Sequence, residues 1–114
     1  MPYGLSKDII DRIINVLSKF SEVEEVVLYG SRAKGNFRPG SDIDLTIKGH
    51  GLDLKRLNKI SLDLDDLLLP YTFDISLFHQ IKNQDMIDHI ERVGIVFYRQ
   101  DSALQENKST NENS

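Results

Sequence analysis

Apolar positions along the chain follow two different periods. Helical spacing of apolar side chains predicts amphipathic helices over residues 6–20, 53–69 and 83–93. Alternating or β-branched runs predict strands over residues 22–29, 42–48, 72–78 and 95–98. Because helices and strands take turns along the chain, we expect an α/β or α+β domain in which helices cover a sheet, with the strand order left open.

Polar and helix-breaking residues mark where these elements begin and end. Ser6 and Asp53 are candidate N-caps of the first two helices. Pro70 is expected to end the second helix and Gly94 the third. The polar segment 31–41 is predicted to be a loop, with one short helical turn at its start.

Leucines of the second helix fall into two groups. Its core stripe is predicted to consist of Leu54, Leu57, Ile60, Leu64, Leu67 and Leu68. Leu62 and Leu69 point roughly 130° away from that stripe at 100° per residue. They could belong to a surface that binds a partner. Alternatively, they are ordinary exposed leucines, or one of them packs against another element.

Length and composition indicate one small domain that does not coat nucleic acid. The chain has 114 residues, and we expect residues 1–100 to form the domain and residues 101–114 to be a disordered polar tail. A net charge of −4 disfavours binding driven by phosphate neutralisation. There is no cysteine, and no apolar run approaches the roughly 20 residues of a membrane span. We therefore expect a cytoplasmic protein without direct nucleic-acid or membrane partners.

Three aspartates lie on or beside predicted strands. Asp42 and Asp44 share one face because side chains alternate along a strand, with backbone positions ~7 Å apart. Asp74 lies near the start of another strand, so three carboxylates meet if the two strands are neighbours. Three negative charges in one place repel each other, so at least one carboxyl would have a pKa above its normal value. A hard cation such as Mg²⁺ or Mn²⁺ would relieve this repulsion.

A glycine turn precedes these carboxylates. Gly30 and Ser31 follow a predicted strand, and backbone N–H groups at such a turn can face an anion. Arg32, Lys34 and Arg38 add positive charge within seven residues. Each feature alone is compatible with a structural role. Together they predict a phosphate cradle next to a metal-binding carboxylate pair, which is suited to moving a nucleotidyl group.

The spacing of these residues resembles a known family signature. Gly30-Ser31, ten residues, and then Asp42-Ile43-Asp44 are similar to the GS-x10-DxD motif of the DNA polymerase β-like nucleotidyltransferase superfamily. Asp74 matches the third acidic position. The short chain most resembles the minimal nucleotidyltransferase (MNT) family, and the resemblance covers about residues 5–98.

The resemblance implies a fold, a site and a substrate. The fold would be the nucleotidyltransferase fold, with a mixed sheet of about four strands covered by helices. Asp42, Asp44 and Asp74 would bind two Mg²⁺ ions, with Mn²⁺ as a possible substitute, and Asp74 would help to deprotonate the nucleophile. Gly30 and Ser31 would hold the triphosphate of ATP, and Arg32 would stabilise phosphate charge.

The resemblance also implies a partner. Stand-alone members of this family commonly act as the antitoxin of a type VII HEPN/MNT toxin–antitoxin pair, in a hetero-oligomer with an all-helical HEPN-family toxin. The implied reaction is transfer of AMP from ATP to a tyrosine of that toxin. The alternatives are a nucleotide-binding module that neutralises or scaffolds a helical partner by contact without turnover, and transfer to a small molecule or RNA.

Two other side chains receive a structural interpretation from sequence. Tyr29, directly before the glycine turn, is expected to be a core residue, although it could abut the nucleotide. His89 is expected to be a surface or packing residue, because the histidines are scattered along the chain.

Overall fold

The helices and strands lie close to the predicted positions. In the computed structural model, residues 1–101 are described, so all but the first residue of the predicted tail 101–114 lies outside the described residues. In chain order the elements are α1 (Lys7–Leu17), β1 (Val23–Tyr29), α2 (Gly30–Lys34), β2 (Ile43–Gly49), α3 (Leu54–Asp65), β3 (Phe73–Leu77), α4 (Gln84–Val93) and β4 (Ile95–Arg99).

The strands form one mixed sheet of four strands in the order β3-β2-β1-β4. Strand β1 is antiparallel to both of its neighbours, β2 and β4, whereas β2 and β3 are parallel. This arrangement confirms the expected α+β class and the nucleotidyltransferase fold. The parallel pair β2 and β3 is joined through α3, which is the helical crossover that parallel neighbours require.

Side-chain caps begin the three longer helices. Ser6 Oγ accepts a hydrogen bond from the Ile9 N–H at 3.3 Å, and Asp53 Oδ1 accepts one from the Arg56 N–H at 2.9 Å. Asn83 caps α4 in the same way. Each cap satisfies an N–H group that has no partner inside its helix. Within residues 1–101, none of the helices has both the length and the apolar character needed to cross a bilayer.

The two faces of the sheet are covered differently. On one face Ile43, Leu45 and Ile47 of β2 are fully buried in the main core, to which α1 and α3 also contribute. On the other face a smaller cluster joins Val27 and Tyr29 of β1 to Ile90 of α4, together with other apolar side chains. Helix α4 therefore covers the β1 side of the second face.

Helix α3 is shorter than predicted, and this corrects part of its core stripe. It ends at Asp65, so the helical pattern no longer describes the leucines that follow. Leu68 has φ 55°, in the left-handed region, and its side chain is 89% exposed. Leu54, at the first helical position, is also exposed. The prediction of both as core residues was wrong, and Leu69, predicted to point outward, packs against the main core instead.

The corrected positions of the leucines predict different effects of the same substitution. Leu69→Lys should lower the free energy of unfolding by ~1 to 2 kcal/mol, because it removes apolar contact with the core. Leu62→Lys should change it by less than about 0.5 kcal/mol, because Leu62 is 61% exposed. Chemical denaturation of the two variants and the wild type measures both values. Equal losses would contradict the packing described here.

Candidate active site

Three polar side chains form a row across neighbouring strands. Tyr29 of β1 is the register partner of Asp44 of β2, and Asp44 is the register partner of Asp74 of β3. Side chains of register partners emerge on the same face of a sheet, from strands ~4.8 Å apart. The strand of Asp74 is thus the neighbour of the Asp44 strand, as the convergence of the acids required.

Electrostatic contact among the acids is evident at Asp44. The pKa of its carboxyl is raised to about 6 by burial first, and then by the negative charges of Asp74 and Asp42, while the charge of Arg32 acts in the opposite direction. The expectation that one carboxyl of the cluster holds a proton more tightly than normal is confirmed at this residue. Asp42 lies just before β2 and is exposed, so no strand pairing fixes its position.

The carboxylates suit a hard cation in their chemistry. Asp44 and Asp74 present oxygen ligands from adjacent strands, and Asp42 is near enough to Asp44 to influence its charge. Among the described residues, however, no group of three potential ligands is arranged closely enough to hold a metal ion by itself. Mg²⁺ needs few protein ligands because waters and substrate phosphates complete its shell, so two or three carboxylates fit it.

Gly30 makes the turn between β1 and α2 and touches the carboxylate row. Its φ is +73°, which side chains other than glycine rarely adopt. A Cβ atom at this position would also collide with Asp44 Oδ2. Glycine is therefore required twice, for the backbone conformation and for the close approach of the turn to Asp44. Ser31 follows in the same turn and is partly exposed.

Arg32 is placed differently from a phosphate ligand that faces solvent. Its side chain is 2% exposed. Its guanidinium donates hydrogen bonds to the carbonyl oxygens of Tyr3 at 2.9 Å, Pro39 at 3.3 Å and Ser41 at 2.9 Å. The ring of Tyr71 lies 4.9 Å from the guanidinium carbon. This geometry favours a positioning role, in which Arg32 fastens the loop that leads to the acids.

The other two basic residues near the turn are more accessible. Lys34, the last residue of α2, and Arg38, in the following loop, are both exposed. Their charges can approach a bound anion without breaking the internal hydrogen bonds that hold Arg32. Of the three basic side chains considered from sequence, these two are therefore the ones open to solvent and to an anion dissolved in it.

Tyr29 and His89 received structural interpretations from sequence; Tyr29 is a core residue as expected, and both residues also border the candidate site. The Gly30 N–H donates a hydrogen bond to His89 Nε2 at 3.3 Å, across 59 positions of the chain. The His89 ring stands edge-on to Tyr29, with ring centroids 6.1 Å apart. Burial, aided by the charges of Asp74 and Asp44, raises the pKa of the Tyr29 phenol, so this hydroxyl stays protonated. Only the strand order and the packing of α4 reveal these neighbours.

A mixed sheet that sets a glycine turn against carboxylates from two strands is an arrangement that suits a nucleotidyltransferase. The model of the family described as "Polymerase beta, Nucleotidyltransferase" matches residues 11–103. The chain therefore belongs to this nucleotidyltransferase family. A comparison with curated protein sequences found no match.

Solved structures of toxin–antitoxin complexes share the fold. A chain of a toxin–antitoxin crystallised with AMP-PNP is 18% identical, with a TM-score of 0.66, covering 91% of this chain and 86% of that one. A chain from the complex of tri-AMPylated Shewanella oneidensis HEPN toxin with MNT antitoxin is 14% identical, with a TM-score of 0.64 and coverages of 96% and 88%. A chain of an MntA-HepT toxin-antitoxin is 15% identical, with a TM-score of 0.62, and the match covers 86% of this chain and 76% of that one. These likenesses show a shared fold.

Two glycine substitutions separate backbone strain from close approach. Gly35→Ala should cost ~1 kcal/mol of stability, because Gly35 has φ +89° and a Cβ there would meet nothing within 4 Å. Gly30→Ala should cost a further ~1 kcal/mol, because its Cβ would push the Asp44 carboxylate out of its position. Denaturation curves of both variants give the difference. Equal costs would mean that Gly30 serves only the backbone conformation.

The raised pKa of Asp44 predicts a pH-dependent gain from removing its charge. The folded state binds this proton more tightly than the unfolded state, so stability rises as pH falls from about 6 toward the ordinary value of 3.8. With a metal chelator present, Asp44→Asn should be more stable than wild type by ~1 kcal/mol at pH 8, after allowance for solvent screening. The gain should vanish below pH 3.8. Thermal denaturation at both pH values measures it, and a gain independent of pH would contradict the assignment.

Proposed function

We propose that this protein is a Mg²⁺-dependent nucleotidyltransferase that transfers AMP from ATP to a tyrosine of a HEPN-family toxin. It would thereby serve as the antitoxin of a type VII HEPN/MNT pair. The observation that carries the proposal is the register of Asp44 with Asp74, placed directly against the Gly30 turn. That arrangement supports the proposal because it sets carboxylates that could bind a metal beside a turn that could bind phosphate.

Relatives of similar fold support the choice of nucleotide and acceptor. One comes from a complex crystallised with AMP-PNP, and another from a complex whose HEPN toxin carries three AMP groups. The identities of 18% and 14% transfer only the fold. The glycine turn and the carboxylates of this chain are what support the same reaction as a proposal.

Each group of residues would have a separate role in the proposed reaction. Ser31 would hold the phosphates through its N–H and hydroxyl groups, and Gly30, whose own N–H is donated to His89, would let the phosphates come close because it has no side chain. Asp42, Asp44 and Asp74 would hold Mg²⁺, which when bound neutralises phosphate charge and stabilises the pyrophosphate leaving group. The tyrosine oxygen forms a bond to the α-phosphorus while the bond to the bridging oxygen breaks, and pyrophosphate leaves.

Asp74 is the better candidate to accept the phenol proton. It is exposed and lies on β3, the edge strand of the sheet, where a large acceptor can approach. Asp44 is less accessible because it lies between β1 and β3, and its charge is opposed by burial. A base has to reach the proton that it removes, so position favours Asp74 in this role.

A contact-only antitoxin is the second candidate. Leu54 and Leu62 are each 61% exposed, and Leu68 is 89% exposed. They belong to α3 and the segment after it, on the face of the sheet opposite the carboxylates. A helical partner bound to these leucines would be held without any involvement of the site.

Intact-mass analysis of the HEPN protein separates the two functions. Incubation with wild type, ATP and Mg²⁺ should add the mass of one or more adenylyl groups, and Asp42→Ala with Asp44→Ala should reduce the rate at least about a thousandfold. Asp65→Ala with Asp66→Ala, an exposed acidic pair at the end of α3, should keep the wild-type rate. Omitting Mg²⁺ should also abolish the addition.

The toxin activity of the partner measures neutralisation separately. If wild type leaves the mass unchanged while both acidic double variants still silence the toxin, contact alone is sufficient and the transfer reaction is wrong. If only the Asp42 and Asp44 double variant loses both modification and protection, transfer is the function.

A further inference from the structure

A cavity of about 550 Å³ lies along α4 and the segment before it. Its lining consists of Ile81, Lys82, Asn83, Asp85, Met86 and His89. Residues three and four apart on a helix share a face, so the lining residues on α4 present one continuous strip. The reaction described above uses none of these side chains.

His89 connects this cavity to the glycine turn. The imidazole lines the cavity, and its Nε2 accepts a hydrogen bond from the Gly30 N–H at 3.3 Å. The cavity therefore begins where the phosphates are proposed to bind. The same ring contacts Tyr29, whose register partner is Asp44. Met86 precedes His89 by three residues, which places it ~5 Å further along the helix. The cavity thus continues from the turn along α4 at least as far as Met86.

The lining suits a ring with a polar edge. Ile81 and Met86 supply apolar surface, and Met86 is 40% exposed. Asn83 Oδ1 accepts the Met86 N–H as the helix cap, which leaves the amide N–H groups of Asn83 as possible donors. Apolar walls with a few polar groups that fix orientation are typical of small-molecule sites.

The position of the cavity favours the nucleotide over the acceptor. Ile81 joins the cluster of Val27, Tyr29 and Ile90, so this part of the cavity is on the β1 side of the polar row. Asp74 lies two strands away from β1, at the other end of the row, on the edge strand. An acceptor tyrosine must reach the Asp74 side, which leaves the cavity on the β1 side for the base of the nucleotide.

We propose that this cavity binds the adenine ring of the nucleoside triphosphate whose phosphates bind at Gly30. The inference rests on the proposed function and extends it to base recognition. Ile81 and Met86 contact the faces of the ring, and Asn83 and Asp85 are placed to hydrogen-bond its edge. His89 separates the base site from the phosphate site and holds the turn in position between them.

The test compares two ligands that differ by the nucleoside. Affinities of ATP and of inorganic tripolyphosphate are measured by calorimetry with Mg²⁺ for wild type, Met86→Asp and Leu54→Asp. Leu54 is an exposed apolar helix residue on the opposite face of the sheet, so its variant is the matched control. Met86→Asp should weaken the affinity for ATP at least tenfold and change the affinity for tripolyphosphate by less than twofold. Leu54→Asp should change neither.

Each departure from that pattern has a defined meaning. Wild type that binds neither ligand contradicts the proposed function itself. If wild type binds both ligands and Met86→Asp keeps its affinity for ATP, the base binds elsewhere. The proposed function is then not affected. Retained ATP affinity with loss of toxin modification assigns the cavity to the acceptor and overturns the inference. Equal weakening of both ligands also overturns it, because the variant then acts on the phosphate turn.

A photoreactive azidoadenine analogue of ATP tests the wild-type protein without substitution. Irradiation with Mg²⁺ should label the peptide that contains residues 81–89, and excess ATP should prevent the labelling. Labelling confined to other peptides would overturn the inference.

Discussion

Strand β2 lies between an antiparallel neighbour and a parallel one, and the register on its two sides determines what each face of the sheet contains. Ile43, Leu45 and Ile47 enter the main core, where burial of each side chain contributes ~1.5 to 3 kcal/mol. Asp44, between them in sequence, is directed to the other face with Tyr29 and Asp74 as its register partners. A slip of one residue would exchange the faces and bury charge. The core that stabilises the fold therefore also fixes the position of the site.

Unequal covering of the second face explains how the site remains accessible. Helix α4 packs over β1, where Val27 and Tyr29 need apolar partners. Asp74, at the β3 edge, remains exposed. A small substrate can therefore bind on the covered side while a much larger acceptor approaches the open edge. This division agrees with the proposed reaction, in which a nucleotide and a protein are the two substrates.

Local sequence patterns correctly predicted the features that depend only on residues close together in the chain. Alternation along 42–48 placed Asp44 opposite the core, and short-range rules identified the caps Ser6 and Asp53. The end of α3 was missed because leucines continue the helical pattern while the backbone reverses at Leu68 with a positive φ. Strand order, and with it the place of Tyr29 in the polar row, depends on pairing that no single segment encodes. The bond between Gly30 and His89 likewise joins segments 59 positions apart.

The buried guanidinium of Arg32 has a consequence for reading inactive variants. It ties the carbonyl of Tyr3, near the start of the chain, to those of Pro39 and Ser41 in the loop before the acids. Under the proposed function, a genetic screen that scores only protection against the toxin would group losses at Arg32 with losses at the aspartates. The two classes would have different origins, because a variant of Arg32 loses hydrogen bonds that hold the loop, whereas variants of the aspartates lose the proposed metal ligands. Truncating the first few residues would mimic the arginine class, although that segment lies outside the signature motif.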